Sequence, residues 1–403
     1  MCDVLSTALG RLPDTSRRRF LQGAGLLAAS GTLAVSGMPA ASANPVAAAR
    51  GKNQFRTRIV LLGTSGGPPM VSTKRYGVST AVVYKDRVYL VDLGLGSQMR
   101  LLEAGLGAEG FGGRAFSRVR GIFFTHLHSD HIAEWPAAYA VGSMNRIGLE
   151  NPEPIHVFGP GDRGSLPRVF PPGREEPDLY NPENPTPGTV AMTGYLQQAF
   201  ASDFNDRARD SNFDRPETTF SIHDIDLTGI WDVDSEGIPP RLSAPIQVWR
   251  DGEVTVSTTL VDHRPTAPAF AYRFDTPDGS VVISGDTGVS ENLIDLAREC
   301  DYLVHEVIDP QFAEDLAATL PPEIGPAVRE HLLKSHTSID QVGRDVAEVA
   351  GAKHLVLTHL VPGDTPVSRW RKASRGYSGR LTVGADLMSL GAGSPGGSRE
   401  SSS

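Results

Sequence analysis

The densest chemistry in the chain is Thr125-His126-Leu127-His128-Ser129-Asp130-His131. Three imidazoles and a carboxylate within six residues supply four side chains of the kind that zinc-type ions take. They follow the apolar strand Gly121-Ile122-Phe123-Phe124, and three histidines at the end of such a strand would be costly without partners. The pair His126 and His128 leaves the strand end in one direction and Asp130 and His131 in another, so two ions can be served. So short a cluster cannot complete two coordination shells, and further ligands fall at other strand ends. His263 closes the run 255–262, Asp286 follows Val281-Val282-Ile283-Ser284-Gly285, and His359 follows Leu355-Val356-Leu357-Thr358. Such edges are where α/β folds gather their active sites. Two divalent ions close together lower the pKa of a shared water and neutralise charge on an ester oxygen, which is hydrolytic chemistry. Asp130 is also placed to orient that water or take its proton.

The elements that must hold these residues are read from hydrophobic period and turn residues. Residues 57–62, 79–84 and 87–91 are short β-type runs, 94–105 has helical spacing, and 119–125 is another strand. The order β-β-β-α-β is that of a mixed α/β layered domain. From 163 to 245 the pattern loosens: a Pro-rich stretch, 170–187, precedes a helix predicted over 190–211 with Tyr195, Leu196, Ala199, Phe200 and Phe204 on one face. Strands return at 246–250, 254–260, 270–274 and 281–284. A helix (291–299) and a strand (302–305) follow, and the pair recurs as 339–350 and 354–358. The two halves share a β-then-α rhythm with no repeat in residue identity.

His-x-His-x-Asp-His, Gly285-Asp286-Thr287 and Thr358-His359-Leu360 together resemble the metallo-β-lactamase superfamily. Leu62-Gly63-Thr64, Phe270-Ala271-Tyr272-Arg273-Phe274, Ser284-Gly285-Asp286-Thr287, Val304-His305-Glu306 and Ser335-His336-Thr337 are similar to its ribonuclease Z-like branch. The likeness runs from about residue 58 to about 390, interrupted by 163–245. It implies an α/β fold, the four-layer αββα sandwich; the inserted helical and loop segment 163–245 could act as a lid, its helix turning Tyr195, Phe200 and Phe204 inward over a partly apolar pocket. It implies two Zn2+ ions at the sandwich edge, with other divalent transition metals left open. By position, His126, His128 and His263 would hold one ion, Asp130, His131 and His359 the other, and Asp286 would bridge them. The resemblance also implies attack by a water between the ions, a leaving-group proton from His336 with Glu306 as its partner, and a hydrogen bond from Asp92 to a ligand imidazole.

Departures from that branch shape the expected substrate. Only a tight hairpin, Thr276-Pro277-Asp278-Gly279, fits between Tyr272 and Gly285, where tRNA-processing members carry their tRNA-gripping arm. Asp92-Leu93-Gly94-Leu95 and His305-Glu306-Val307-Ile308 replace the branch's Asp-Cys-Gly-Glu and His-Glu-Ala-Thr. The chain carries a formal net charge of −9, and without residues 1–43, which hold four Arg and two Asp, it would stand at −11. A protein that grips a long polyanion is more often basic, so nucleic acid is not the expected partner. The expectation is a hydrolase of small esters, phosphodiesters or aryl sulfates first and lactones next. The alternatives are a 3′-tRNA-processing endonuclease and a metal-binding protein without turnover, against which the intact Asp130 argues. Gly63-Thr64-Ser65-Gly66-Gly67 formally fits a serine nucleophile elbow, but Pro68-Pro69 follows where the elbow's helix should start, so the segment reads instead as a glycine loop that packs near the metal edge. His156, His223, His331 and His354 read as ordinary core or surface histidines.

The ends of the chain carry signals of their own. Ser16-Arg17-Arg18-Arg19-Phe20-Leu21 opens a Gly- and Ala-rich apolar stretch closed by Ala41-Ser42-Ala43, a pattern that looks like a twin-arginine export signal over 1–43. The expected partners are therefore the export machinery and a small ester, with no stable membrane span after processing. Oligomer formation and signal cleavage are left open, and the expected location is the periplasm, the cell envelope or the medium. Residues 44–390 form the expected catalytic domain and 391–403 a disordered Gly/Ser tail. Of two cysteines, Cys2 and Cys300, one would remain after processing, which excludes an intrachain disulfide and a Cys-rich metal site.

Overall fold

A computed structural model describes residues 55–67, 74–107, 114–147, 149–150 and 152–393. The export signal predicted over 1–43 and the tail from 394 onward lie outside them. Among the described residues fourteen strands form two seven-stranded sheets. The first is ordered β14-β1-β2-β3-β4-β5-β6, from β1 (Thr57–Gly63), β2 (Ser79–Tyr84), β3 (Arg87–Val91), β4 (Val119–Phe123), β5 (Ile155–Pro160), β6 (Phe220–Ile225) and β14 (Ser389–Ala392). The second is ordered β13-β12-β11-β10-β9-β8-β7, from β7 (Ile246–Asp251), β8 (Val254–Leu260), β9 (Phe270–Thr276), β10 (Gly279–Ile283), β11 (Tyr302–Ile308), β12 (His354–Val361) and β13 (Arg380–Val383).

Both faces of each sheet are covered, which is why the central strands read as unbroken apolar runs. In β1, Ile59 and Leu61 face the other sheet while Val60 and Leu62 face outward to helices. Phe123 sits at the middle of the inter-sheet core, stacked on Phe158 at 5.4 Å and edge-on to Tyr272 and Phe274 at 5.3 Å each. Full burial of such a side chain stabilises the fold by roughly 1.5–3 kcal/mol. Outside the first sheet lie α1 (Ser97–Glu103), α2 (Ser129–Ile132), α3 (Trp135–Val141), α4 (Thr189–Ala199) and α5 (Ala201–Asp210), with Trp135 and Tyr139 packed among Leu90, Ile122 and Val157. Outside the second lie α6 (Glu291–Leu296) and a helical run over 339–350, with Leu293, Leu296, Val342 and Val346 on Leu303, Leu355 and Leu357. These are the four layers, α, β, β, α.

Three expectations change. The helix over 190–211 divides at Phe200 into α4 and α5, and these helices complete the outer layer instead of covering the site. Trp135 Nε1 donates to Thr193 Oγ1 (3.1 Å), Gln197 Nε2 donates to the Tyr139 hydroxyl (2.8 Å), and Phe204 packs on Tyr139. The segment 163–245 also contributes β6, an edge strand of the first sheet, so what borders the site is its irregular stretch between β5 and α4. At the far end, Gly391 and Ala392 pair with Arg58 and Thr57 in β14, so ordered structure runs past residue 390 because β1 needs that partner for its outer ladder. Among the described residues no helix is long and apolar enough to cross a membrane.

Candidate metal centre

Parallel strands deliver their C-terminal ends to one edge of the sandwich, and the turn after β4 is where the first ligand cluster lands. His128 precedes α2 in extended conformation, and the helix turn places Asp130 and His131 on the inward side. From the second sheet come His263, in the loop after β8, Asp286, after β10, and His359. His359 lies within β12, not beyond it, at φ +42°, and this left-handed backbone turns its ring toward the edge. A side-chain carbon on Gly66 would come within 2.3 Å of that ring, so the glycine loop after β1 packs on the imidazole. Ser65 is held in β-bridges to Gly77 and Leu360, so it is not a nucleophile on an exposed elbow.

Two ligand groups result. His126, His128 and His263 form one; Asp130, His131, Asp286 and His359 form the other. In the first, His126 Nε2 and His263 Nε2 stand 3.0 and 3.2 Å from His128 Nδ1. In the second, His131 Nε2 and His359 Nε2 stand 3.2 and 3.3 Å from Asp286 Oδ2, and His359 Nε2 is 3.3 Å from Asp130 Oδ2. A tetrahedral ion with ligand bonds of about 2.0–2.1 Å has edges of about 3.3–3.4 Å, so these spacings suit one ion in each group. Asp286 Oδ2 also lies 3.9 Å from Nε2 of both His126 and His263, which puts this oxygen between the groups.

The outer nitrogens fix where the lone pairs point. His131 Nδ1 donates to Asp92 Oδ2 (2.8 Å) and His263 Nδ1 donates to the Ser335 carbonyl (2.8 Å). Thr125 gives its amide and hydroxyl protons to Asp92 (2.8 Å each), leaving its oxygen to accept from His126 Nδ1 (3.1 Å). His128 Nε2 meets the Thr266 hydroxyl at 2.8 Å. With their outer sides occupied, the rings of His126, His128 and His263 aim bare nitrogens at one another, an arrangement that repels itself unless a cation lies between them. His131 Nε2 and Asp286 Oδ1 are accordingly buried with no hydrogen-bond partner. The site therefore fits a pair of divalent ions.

Charge states agree with that fit. Burial first, and then the neighbouring imidazoles, hold His126 and His263 well below the ordinary histidine value, and burial lowers His128 to about 4. These are neutral ligands at pH 7. Burial opposes ionisation of Asp130 and Asp286, but the imidazoles of His131 and His359 outweigh it and keep both carboxylates ionised. Ions bound here would acidify a shared water and neutralise charge on an ester oxygen.

The chain's own acid–base groups stand beside the ligands. His336, at the C-terminal end of the helix Gly325–Ser335, places Nδ1 3.1 Å from Glu306 Oε1 and 3.9 Å from Asp286 Oδ2. Burial works against its proton, yet Glu306, Asp286 and Asp130 prevail and raise it to about 9, so His336 holds a proton at neutral pH. Glu306 Oε1 is fixed by the amides of Thr287 (3.1 Å) and Thr337 (3.0 Å) and positions the imidazole. An imidazolium beside the ligand groups can donate to a departing ester oxygen. The Gly67 amide donates to Asp130 Oδ2 at 2.9 Å and orients that carboxylate.

All the residues singled out as ligands meet at this edge, and Asp92, Glu306 and His336 adjoin them. Of the supporting residues, Gly66 and Gly67 belong to the glycine loop expected near the metal edge, while Thr125 and Thr266 have no motif of their own. Thr125 precedes His126 and was open to inspection, whereas Thr266 sits 138 positions from the ring it touches. The other histidines lie apart: His156 meets His223 between β5 and β6, and His354 bonds Thr382.

A family model described as the metallo-beta-lactamase superfamily matches residues 72–328. The chain is similar to the ribonuclease Z of Mycobacterium bovis (strain BCG / Pasteur 1173P2), 29% identical over 333 residues that cover 82% of this chain and 96% of the relative. The ribonuclease Z of Mycobacterium marinum (strain ATCC BAA-535 / M) is 28% identical over the same shares. Among solved structures, the short form of human tRNase Z aligns with a TM-score of 0.51 at 18% identity, over 83% of this chain and 99% of that one, a likeness of fold. Taken with the sandwich and the ligand-lined edge, these matches show that the chain belongs to the metallo-beta-lactamase superfamily and is a metal-dependent hydrolase.

Proposed function

We propose that the chain hydrolyses phosphodiesters with water activated by the two zinc ions that its ligand groups would hold, and that its substrate is RNA, cleaved in the manner of a ribonuclease Z at the 3′ end of a tRNA precursor. The observation that carries this reading is the joint presence of seven converging ligands and the His336–Glu306 pair in a chain that covers 96% of its ribonuclease Z relatives. These relatives favour RNA over the small-ester substrate expected from composition and the short hairpin.

A second reading keeps a specific observation in its favour. Strands β9 and β10 are joined through Pro277 and Asp278 alone, so nothing projects there to grip a tRNA, and the net charge of −9 offers little to a polyanion. In that reading the enzyme leaves the cytoplasm through the signal at Arg17-Arg18-Arg19 and cleaves small aryl phosphodiesters or sulfates. Export would also separate it from tRNA precursors.

One experiment decides between them. The zinc-loaded protein is offered a precursor tRNA with a 3′ trailer, bis(p-nitrophenyl) phosphate, p-nitrophenyl sulfate and an aryl lactone at several salt concentrations. Efficient trailer cleavage that weakens steeply with salt supports the RNA reading. Salt-insensitive turnover of the small esters with no trailer cleavage replaces it with the second.

A further inference from the structure

Beside the first ligand group opens a cleft of about 490 Å³. Its floor reaches the metal edge at two points, Leu127, between the ligands His126 and His128, and Thr266, whose hydroxyl touches His128 Nε2. One wall is the irregular stretch between β5 and α4; the other is the loop 265–268 between β8 and β9. The volume lies within the range of about 300–1,000 Å³ typical of small-molecule sites.

The wall chemistry selects its occupant. Prolines dominate both walls, with Leu127, Leu166 and Leu179 between them. The cleft's single lining cation is Arg163, whose Nη1 and Nη2 donate to the carbonyls of Pro265 (2.8 Å) and Asp234 (2.7 Å), tying one wall to the other. With both terminal nitrogens of that cation held by carbonyls, the carboxylate of Asp178 also on the lining and proline and leucine making up most of the rest, the cleft suits an uncharged apolar group. At its mouth stands Tyr180, 94% exposed, beside Leu179. Few large aromatic rings are so fully hydrated, and covering one recovers apolar area. The turn behind it is anchored, because Asn181 Nδ2 donates to the Asn184 carbonyl (2.8 Å) and to the Tyr195 hydroxyl (3.0 Å). Rigid prolines and an anchored turn mean that little conformational freedom is lost on binding.

We propose that this cleft is a specificity subsite for a planar aromatic ring carried by a group esterified to the scissile phosphate, with Tyr180 as the stacking platform. This rests on the phosphodiester reading, and a nucleobase and an aryl ester present the same ring face to Tyr180. Titration calorimetry on the zinc-loaded full chain, with dimethyl phosphate, diphenyl phosphate and thymidylyl-thymidine as probes, tests it. Diphenyl phosphate is expected to bind about tenfold more tightly than dimethyl phosphate. Tyr180→Ala should remove most of that gap, Tyr180→Phe should keep it, and zinc content should stay the same in both. A gain shared by thymidylyl-thymidine assigns the ring to a nucleobase; a gain confined to diphenyl phosphate assigns it to an aryl ester. Equal affinities for the two small phosphates, or a gap that Tyr180→Ala leaves intact, overturns the subsite. Ring-dependent binding without phosphodiester turnover would instead remove the phosphodiester reading and leave the cleft standing.

Discussion

In each sheet three antiparallel pairings are followed by three parallel ones, so β3 and β10 occupy equivalent places, as do β4 and β11. The strand ends are used unequally. One turn after β4 carries four ligands, while the second sheet supplies one each from the ends of β8 and β10 and from β12. Asp92 and Asp286 follow the equivalent strands β3 and β10, and both address His131, the first at Nδ1 (2.8 Å) and the second at Nε2 (3.2 Å). One aspartate therefore orients a ligand from behind while its counterpart stands among the ligand nitrogens. The comparison teaches that an equivalent position in a repeated architecture sets where a carboxylate stands, and that its chemistry follows from which ring nitrogen it meets.

Breaking the two aspartates should separate these tasks. Asp286→Ala removes the oxygen that lies between both groups, so both ions and all turnover should be lost together, as metal analysis and an ester assay would read. Asp92→Ala leaves every ligand in place and should weaken metal affinity or activity by about 10–100-fold. Equal damage from the two would erase the distinction.

The acid–base pair from the second sheet comes next. His336→Ala should lower kcat by about 10²–10⁴-fold with metal content unchanged. The loss should shrink when the leaving group is p-nitrophenolate, which departs without a proton, and a loss independent of leaving group would make His336 structural.

The smallest effect concerns stability. His128 in the folded, metal-free protein titrates at about 4, against about 6.5 for an unfolded histidine. Its contribution is thus complete above pH 6.5 and is lost as pH falls toward 4, because the unfolded chain takes up the proton first. His131, raised above its ordinary value by the surrounding carboxylates against the pull of burial, is charged throughout this window. Urea midpoints of metal-free protein should therefore fall between pH 6.5 and 4.5 more steeply for wild type than for His128→Gln.

Much of the sandwich was legible because strands buried on both faces are short, apolar and bounded by turns: residues 79–84, 87–91 and 254–260 match their strands end to end. The ligand cluster was legible because its spacing is local, and His263, Asp286 and His359 because each ends or closes an apolar run. Less regular parts hid. In β6 only Phe220 and Ile225 are buried, too weak an alternation to stand out. Phe200 leaves helical geometry (φ −98°, ψ 12°) without a glycine or proline to announce it. The apolar wall was expected from the helix carrying Phe200 and Phe204, and is built instead by prolines whose cleft exists only once β5 and the loop after β8 are brought together. Thr266 is a polar residue in that loop, and its role needs His128 to be placed first.

Metal stoichiometry of the purified chain, refolded with excess zinc and dialysed, tests the central claim most directly. Two ions per wild-type chain and none per Asp286→Ala chain is the result that two groups sharing one aspartate require. A single ion in wild type, or one ion retained by Asp286→Ala, would contradict it.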